Sequence, residues 1–149
     1  MLTFKSAKSI LHVGGIGLIP KAPGTWGSLA GLLSGAVIVA LFGVWALLLC
    51  SLAAIALGLY AGKIVTSHEP MDDPSWFVLD EVIGMWLVLL VTPFSLLGFA
   101  LAFALFRVFD IFKPWPVSWA DRRVKGTFGI LLDDILAAMY AGALILLLL

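Results

Sequence analysis

Five carboxylates lie within or directly beside apolar stretches of this sequence: Asp80, Glu81, Asp110, Asp133 and Asp134. An ionised carboxylate is costly in apolar surroundings unless a positive charge pairs with it or it binds a cation. Oxygen ligands without histidine or cysteine favour Mg²⁺ or Mn²⁺ over Zn²⁺. The pattern therefore predicts an acidic cation site, and a network of ion pairs is the alternative.

Basic residues near these acids in the sequence would serve either arrangement. Arg107, Lys113 and Arg122 follow or precede acidic positions. At the end of a membrane helix such side chains can extend to anionic headgroups. Beside a metal ion they can bind a substrate phosphate through charge-assisted hydrogen bonds. Trp115 and Trp119 are expected to anchor this part of the chain at a membrane interface.

A glycine-rich segment, GGIGLIPKAPGTWGS at 14–28, precedes the first long apolar stretch. Glycines allow a backbone to approach a ligand closely, and Thr25 or Ser28 can cap the helix that follows. A helix N-terminus with a nearby lysine, here Lys21, is a natural phosphate site. The alternative is that the glycines only allow tight packing.

Hydrophobic helices must position these groups. The chain has 149 residues, enough for one domain, and is 62% hydrophobic and 12% charged with a mean hydropathy of +1.14. These values exceed those of soluble domains and predict an integral membrane protein. The formal net charge of zero, with basic residues spread along the chain, argues against nucleic acid as a partner.

The expected fold is all-α: a multi-pass bundle of about five hydrophobic helices after a short N-terminal interfacial helix. The uncharged run at 29–62 would need about 50 Å as one helix, against a hydrocarbon core of roughly 30 Å, so we expect two helices there. The predicted spans are 26–41, 45–65, 74–91, 96–112 and 128–148. The cytoplasmic loops between or before them would be 14–28, 66–73 and 113–127.

The third predicted span decides the depth of the first acidic pair. Asp73 can cap a helix and Pro74 suits its first position. Asp80 and Glu81 would then lie about 10 Å inside that helix. The N-terminal helix is expected to place Leu11 against lipid.

The charges lie on one side of this predicted topology. All nine basic residues fall there, and the turns at 42–45 and 92–95 contain none. This positive-inside pattern predicts that the charged face, with any chemistry it carries, is cytoplasmic.

Four motifs in order resemble the phosphatidylglycerophosphatase A family, which are bacterial membrane lipid phosphatases. Together they span nearly the whole chain, and their order makes chance agreement implausible. The motifs are GGIGLIPKAPGTWGS at 14–28, VLDEVIGMW at 78–86, FRVFDIFKPWP at 106–116 and DRRVKGTFGILLDD at 121–134.

The resemblance implies Mg²⁺-dependent hydrolysis of phosphatidylglycerophosphate to phosphatidylglycerol and phosphate, in a bacterial inner membrane. Asp80, Glu81, Asp133 and Asp134 are then the candidate metal ligands, and Asp110 is a candidate base or a support for a ligand. A water nucleophile and an aspartyl-phosphate intermediate both stay open.

The same resemblance suggests which residues neutralise the substrate phosphate. The candidates share a hydroxyl or a positive charge near the predicted cytoplasmic face: Lys21, Thr25, Ser28, Arg107, Lys113 and Arg122.

Two further interpretations concern function and assembly. An ion-binding, transporter-like protein is the rival function, but no charged side chain continues a path from Asp134 to the far end of its helix. Gly31 and Gly35 give a weak small-residue signal for helix association, so a homodimer is an open expectation beside contacts with membrane lipids.

Overall fold

A computed structural model describes residues 1–149, and it contains helices and loops but no strand, so the prediction of an all-α fold is confirmed. A 3₁₀ segment, Val13–Leu18, separates the first two α-helices. The α-helices are α1 Phe4–Leu11, α2 Pro23–Phe42, α3 Val44–Thr66, α4 Leu79–Leu89, α5 Leu96–Phe112, α6 Val117–Arg123 and α7 Gly126–Leu148.

Three helices, α2, α3 and α7, are long and apolar enough to cross a membrane. This is fewer than the about five spans predicted. Helix α5 occupies the residues expected for the fourth span but has 17 residues, about 26 Å of helix, which is short for a hydrocarbon core of roughly 30 Å.

The third predicted span is the main difference. Helix α4 begins at Leu79 rather than Pro74 and has 11 residues, about 16 Å of helix. The backbone just before α4 does not continue the helix. The amide of Val78 instead donates a hydrogen bond of 3.0 Å to the carbonyl oxygen of Leu11. Asp80 and Glu81 therefore lie in the first turn of α4, not two turns inside a helix.

Helix α4 is a buried central element that packs against α2, α3, α5 and α7. Glycines on one face of α2 allow its closest contact. A Cβ atom at Gly27 would lie 2.9 Å from Cβ of Val78, and one at Gly31 would lie 2.9 Å from Cβ of Met85. Gly35 meets α4 one turn further on. The glycines that suggested association between chains are thus buried within this chain.

The N-terminal helix α1 packs against α3. Ala7 and Leu11 are fully buried in a cluster with Ala61 and Val65, so the expectation that Leu11 faces lipid is wrong. Packing against α3 buries Leu11, so neither solvent nor lipid reaches its side chain. An ion pair of 2.7 Å between Lys8 and Glu69 fixes the same helix to the loop after α3.

We predict that Gly31→Leu destabilises the protein by about 1–3 kcal/mol or more, because the added side chain overlaps the backbone of α4 at Val82. Thermal unfolding in detergent, followed by circular dichroism, measures the loss. Ala40→Leu, on the exposed part of the same helix, is the matched control. Equal melting temperatures for the two variants would contradict the packing described here.

Candidate active site

Three carboxylates from two helices converge at the centre of the bundle. Asp80 and Glu81 come from the first turn of α4, and Asp134 comes from α7, about 12 Å along that helix from Gly126. One carboxylate oxygen of each lies within 4.8 Å of those of the other two. We call these three residues the acidic cluster.

Each member of the acidic cluster has a buried oxygen that accepts no hydrogen bond: Oδ1 of Asp80, Oε2 of Glu81 and Oδ2 of Asp134. Asp80 and Asp134 are only 6% and 3% exposed. Buried polar atoms normally have partners, and three anionic groups at this distance repel one another. A divalent cation that prefers oxygen ligands would satisfy all three, so these residues fit a metal such as Mg²⁺.

Arg107 and Asp110 border the acidic cluster on α5. The guanidinium of Arg107 donates to the carboxylate of Asp110 and, over 3.4 Å, to the hydroxyl oxygen of Ser28. Asp110 also lies close enough to Asp134 for their charges to interact. The helix α5 therefore brings one cation and one further carboxylate to the edge of the cluster.

The first turn of α2 closes another side of the cluster at Gly24. A Cβ atom there would lie 2.5 Å from Oε1 of Glu81 and 3.4 Å from Nη1 of Arg107, so a larger residue would displace one of these side chains. Sequence reasoning did not single out Gly24. The feature that could have indicated Gly24 is its position in the glycine-rich segment, immediately after the proline that begins α2.

The helix cap predicted for α2 is wrong. Ala22 precedes the first turn, and no side chain caps it. The hydroxyl of Ser28 donates instead to the carbonyl oxygen of Gly24, over 2.9 Å, and is itself buried. Thr25 is half-buried and Lys21 is exposed, both at the end of α2 that faces the acidic cluster.

Asp133 lies apart from the acidic cluster although it is adjacent to Asp134, because neighbouring helix residues point about 100° apart. Its Oδ2 accepts a hydrogen bond of 2.8 Å from Nζ of Lys113, which also donates to Asp121 over 2.6 Å. The structure thus pairs Asp133, which was predicted as a metal ligand, with Lys113, which was predicted as a phosphate ligand. Arg122 is exposed on α6 and forms no ion pair with the cluster.

Burial and charge shift the pKa values of Lys113 and of two carboxyls near it, those of Asp121 and Asp73. Partial burial opposes the charged form of Lys113, but its hydrogen bonds to Asp121 and Asp133 outweigh this effect and raise its pKa. Burial likewise works against ionised Asp121, yet Lys113 lowers the pKa of that carboxyl. Asp73 in the loop before α4 has a raised pKa, mainly because neighbouring groups desolvate its carboxyl. Lys113 is therefore held as a cation between two acids.

We expect Lys113 and Asp133 to be energetically coupled. Lys113→Met leaves a buried carboxylate without its cation, so the single variant is destabilised more than the double variant Lys113→Met/Asp133→Asn. A double-mutant cycle, measured by unfolding in detergent, should give a coupling of about 1 kcal/mol or more. Lys63→Met, which removes an exposed lysine, is the control. Additive effects would show that the pair does not stabilise the fold.

Comparisons with known proteins identify the family of this chain. The family profile described as phosphatidylglycerophosphatase A matches residues 9–149. A Haemophilus influenzae protein named phosphatidylglycerophosphatase A is 43% identical over 134 residues, which are 89% of this chain and 82% of the relative. The Escherichia coli protein of the same name is 37% identical over 139 residues, 91% of this chain and 80% of the relative.

A third relative carries a different name. A Bacteroides thetaiotaomicron protein, named a putative phosphatidylinositol-3-phosphatase, is 36% identical over 137 residues, which are 88% of this chain and 86% of the relative. No solved structure matches the chain significantly. The family profile and the two relatives of the same name establish that the chain belongs to the phosphatidylglycerophosphatase A family and is a phosphatase.

Proposed function

We propose that this protein removes the terminal phosphate of phosphatidylglycerophosphate, giving phosphatidylglycerol and inorganic phosphate, with Mg²⁺ as cofactor. The observation that carries the proposal is the acidic cluster, whose buried oxygens without hydrogen-bond partners form an oxygen-only ligand set. Family membership supports the phosphatase chemistry, and the rival interpretation as a transporter has no comparable support.

In this proposal Asp80, Glu81 and Asp134 hold Mg²⁺, which when bound polarises the phosphoryl oxygens and neutralises charge in the transition state. Asp133 differs from its sequence-based assignment, since it holds Lys113 instead. The pair with Lys113 fixes the end of α5 against α7 and so keeps Asp134 in place.

Arg107 is the proposed phosphate-binding residue nearest the cluster. Asp110 and Ser28 hold its guanidinium, so little rotamer freedom is lost when it binds a phosphate. Phosphoryl transfer depends mainly on positioning and on neutralising the equatorial oxygens. Lys21 and Thr25, at the N-terminal end of α2, supply a second cation and a hydroxyl close to the same place.

A lipid substrate suits the position of the acidic cluster along the helices. Asp134 lies roughly two turns from the start of α7, a helix of 23 apolar-rich residues that is long enough to cross a membrane. Asp134 thus lies in the N-terminal half of α7, and Asp80 and Glu81 lie in the first turn of α4, which supports a cluster that a phosphate reaches from the charged side while the acyl chains stay in lipid. The positive-inside pattern of the sequence supports our proposal that this end faces the cytoplasm.

We predict that Asp80→Asn and Asp134→Asn each reduce the rate of phosphate release by roughly a hundredfold or more, because each removes a charged metal ligand. The assay uses purified protein in detergent with phosphatidylglycerophosphate. A chelator should abolish the activity and Mg²⁺ should restore it. Asp72→Asn, at an exposed carboxylate outside the cluster, is the matched control and should keep the wild-type rate.

The same assay tests the substrate. The names of two relatives favour phosphatidylglycerophosphate, and that of the third favours phosphatidylinositol 3-phosphate. Faster hydrolysis of the latter lipid would contradict the proposed substrate, whereas full activity of both cluster variants would contradict the proposed site. Phosphate covalently trapped on the protein during turnover would exclude direct attack by water.

A further inference from the structure

Helix α6 has one face in the protein core and one face outside it. Val117 and Ala120 are fully buried, and the helix packs against α7 on that side. The opposite face carries Trp119, Arg122 and Arg123, which are all exposed. This short helix therefore presents aromatic and basic side chains together, in a protein with three helices suited to a membrane.

These side chains surround a shallow cavity of about 180 Å³. Its lining residues are Trp115, Ser118, Trp119, Arg122 and Arg123, which we call the α6 patch. Both tryptophans keep a large exposed area, 74% for Trp115 and 48% for Trp119.

The two arginines of the α6 patch have no acidic partner. All four ion pairs in the structure use other residues. Asp121 is the nearest acid in the sequence, but its carboxylate turns inward to Lys113. The patch thus carries two uncompensated positive charges around a cavity, and neither arginine forms an ion pair with the acidic cluster.

Its surroundings indicate what kind of ligand fits. Ile111 and Phe112, just before the α6 patch, are 62% and 79% exposed, which suits contact with acyl chains. Tryptophan favours the boundary between acyl chains and headgroups, and arginine binds phosphate through paired hydrogen bonds. A ligand with both an anionic phosphate and an apolar body satisfies every part of this surface.

We propose that the α6 patch binds the headgroup of an anionic phospholipid from the surrounding bilayer, with Arg122 and Arg123 on the phosphate and the tryptophans beside the glycerol region. Charge complementarity selects this occupant. A second copy of the chain would bring two like-charged patches together, and a zwitterionic lipid carries no net negative charge to offset the two arginines. The site is distinct from the proposed phosphatase site and does not depend on catalysis.

Native mass spectrometry of the full-length protein in detergent tests the proposal, with phosphatidylserine as the anionic probe and phosphatidylcholine as the zwitterionic one. Phosphatidylserine lacks a phosphomonoester, so it does not mimic the proposed substrate. Arg122→Gln/Arg123→Gln should weaken phosphatidylserine binding about tenfold and leave phosphatidylcholine unchanged. Arg122→Lys/Arg123→Lys, which keeps both charges, should retain most of the affinity.

The matched control is Lys5→Gln/Lys63→Gln, which removes two exposed cations outside the α6 patch. Unchanged binding in this variant supports a specific site, whereas an equal loss would show only a nonspecific effect of net charge and overturn the proposal. Equal affinity for the two lipids, or unaltered phosphatidylserine binding in the double glutamine variant, would also overturn it. So would full competition by inorganic phosphate, which would identify a site for free phosphate.

Discussion

The mutual repulsion of Asp80, Glu81 and Asp134 is the constraint on which the rest of the structure depends. One carboxylate oxygen of each residue is buried without a hydrogen-bond partner. Left as anions in apolar surroundings they would oppose folding. A bound cation turns this repulsion into attraction, because the three neighbouring carboxylates then all serve as its ligands. Metal binding and stability of the bundle are accordingly linked in our proposal.

Several long-range contacts hold the two helices that carry these acids. The glycines of α2 let α4 approach closely, and the Leu11 carbonyl receives the Val78 amide just before α4 begins. On the other side Lys113 joins the end of α5 to Asp133 on α7. The acidic pair on α7 thus has two tasks, because Asp134 faces the cluster and Asp133 holds Lys113 at the end of α5.

The helical class followed from composition, and the acidic positions from their placement in apolar stretches. The start of α4 could not be predicted in this way. Asp73-Pro74 is a good local signal for a helix, whereas the contact between Val78 and Leu11 joins distant parts of the chain. Adjacent helix residues point about 100° apart, so Asp133 and Asp134 lie in different surroundings. Which of them joins the cluster depends on Lys113, whose position is set by the tertiary fold.

Anomalous diffraction from crystals soaked in Mn²⁺, a substitute for Mg²⁺, tests the location of the metal most directly. We predict one strong peak among the carboxylates of Asp80, Glu81 and Asp134, with metal–oxygen distances of about 2.0–2.2 Å. A peak beside Asp133 and Asp121 instead, or no peak at the acidic cluster under conditions that support turnover, would contradict it.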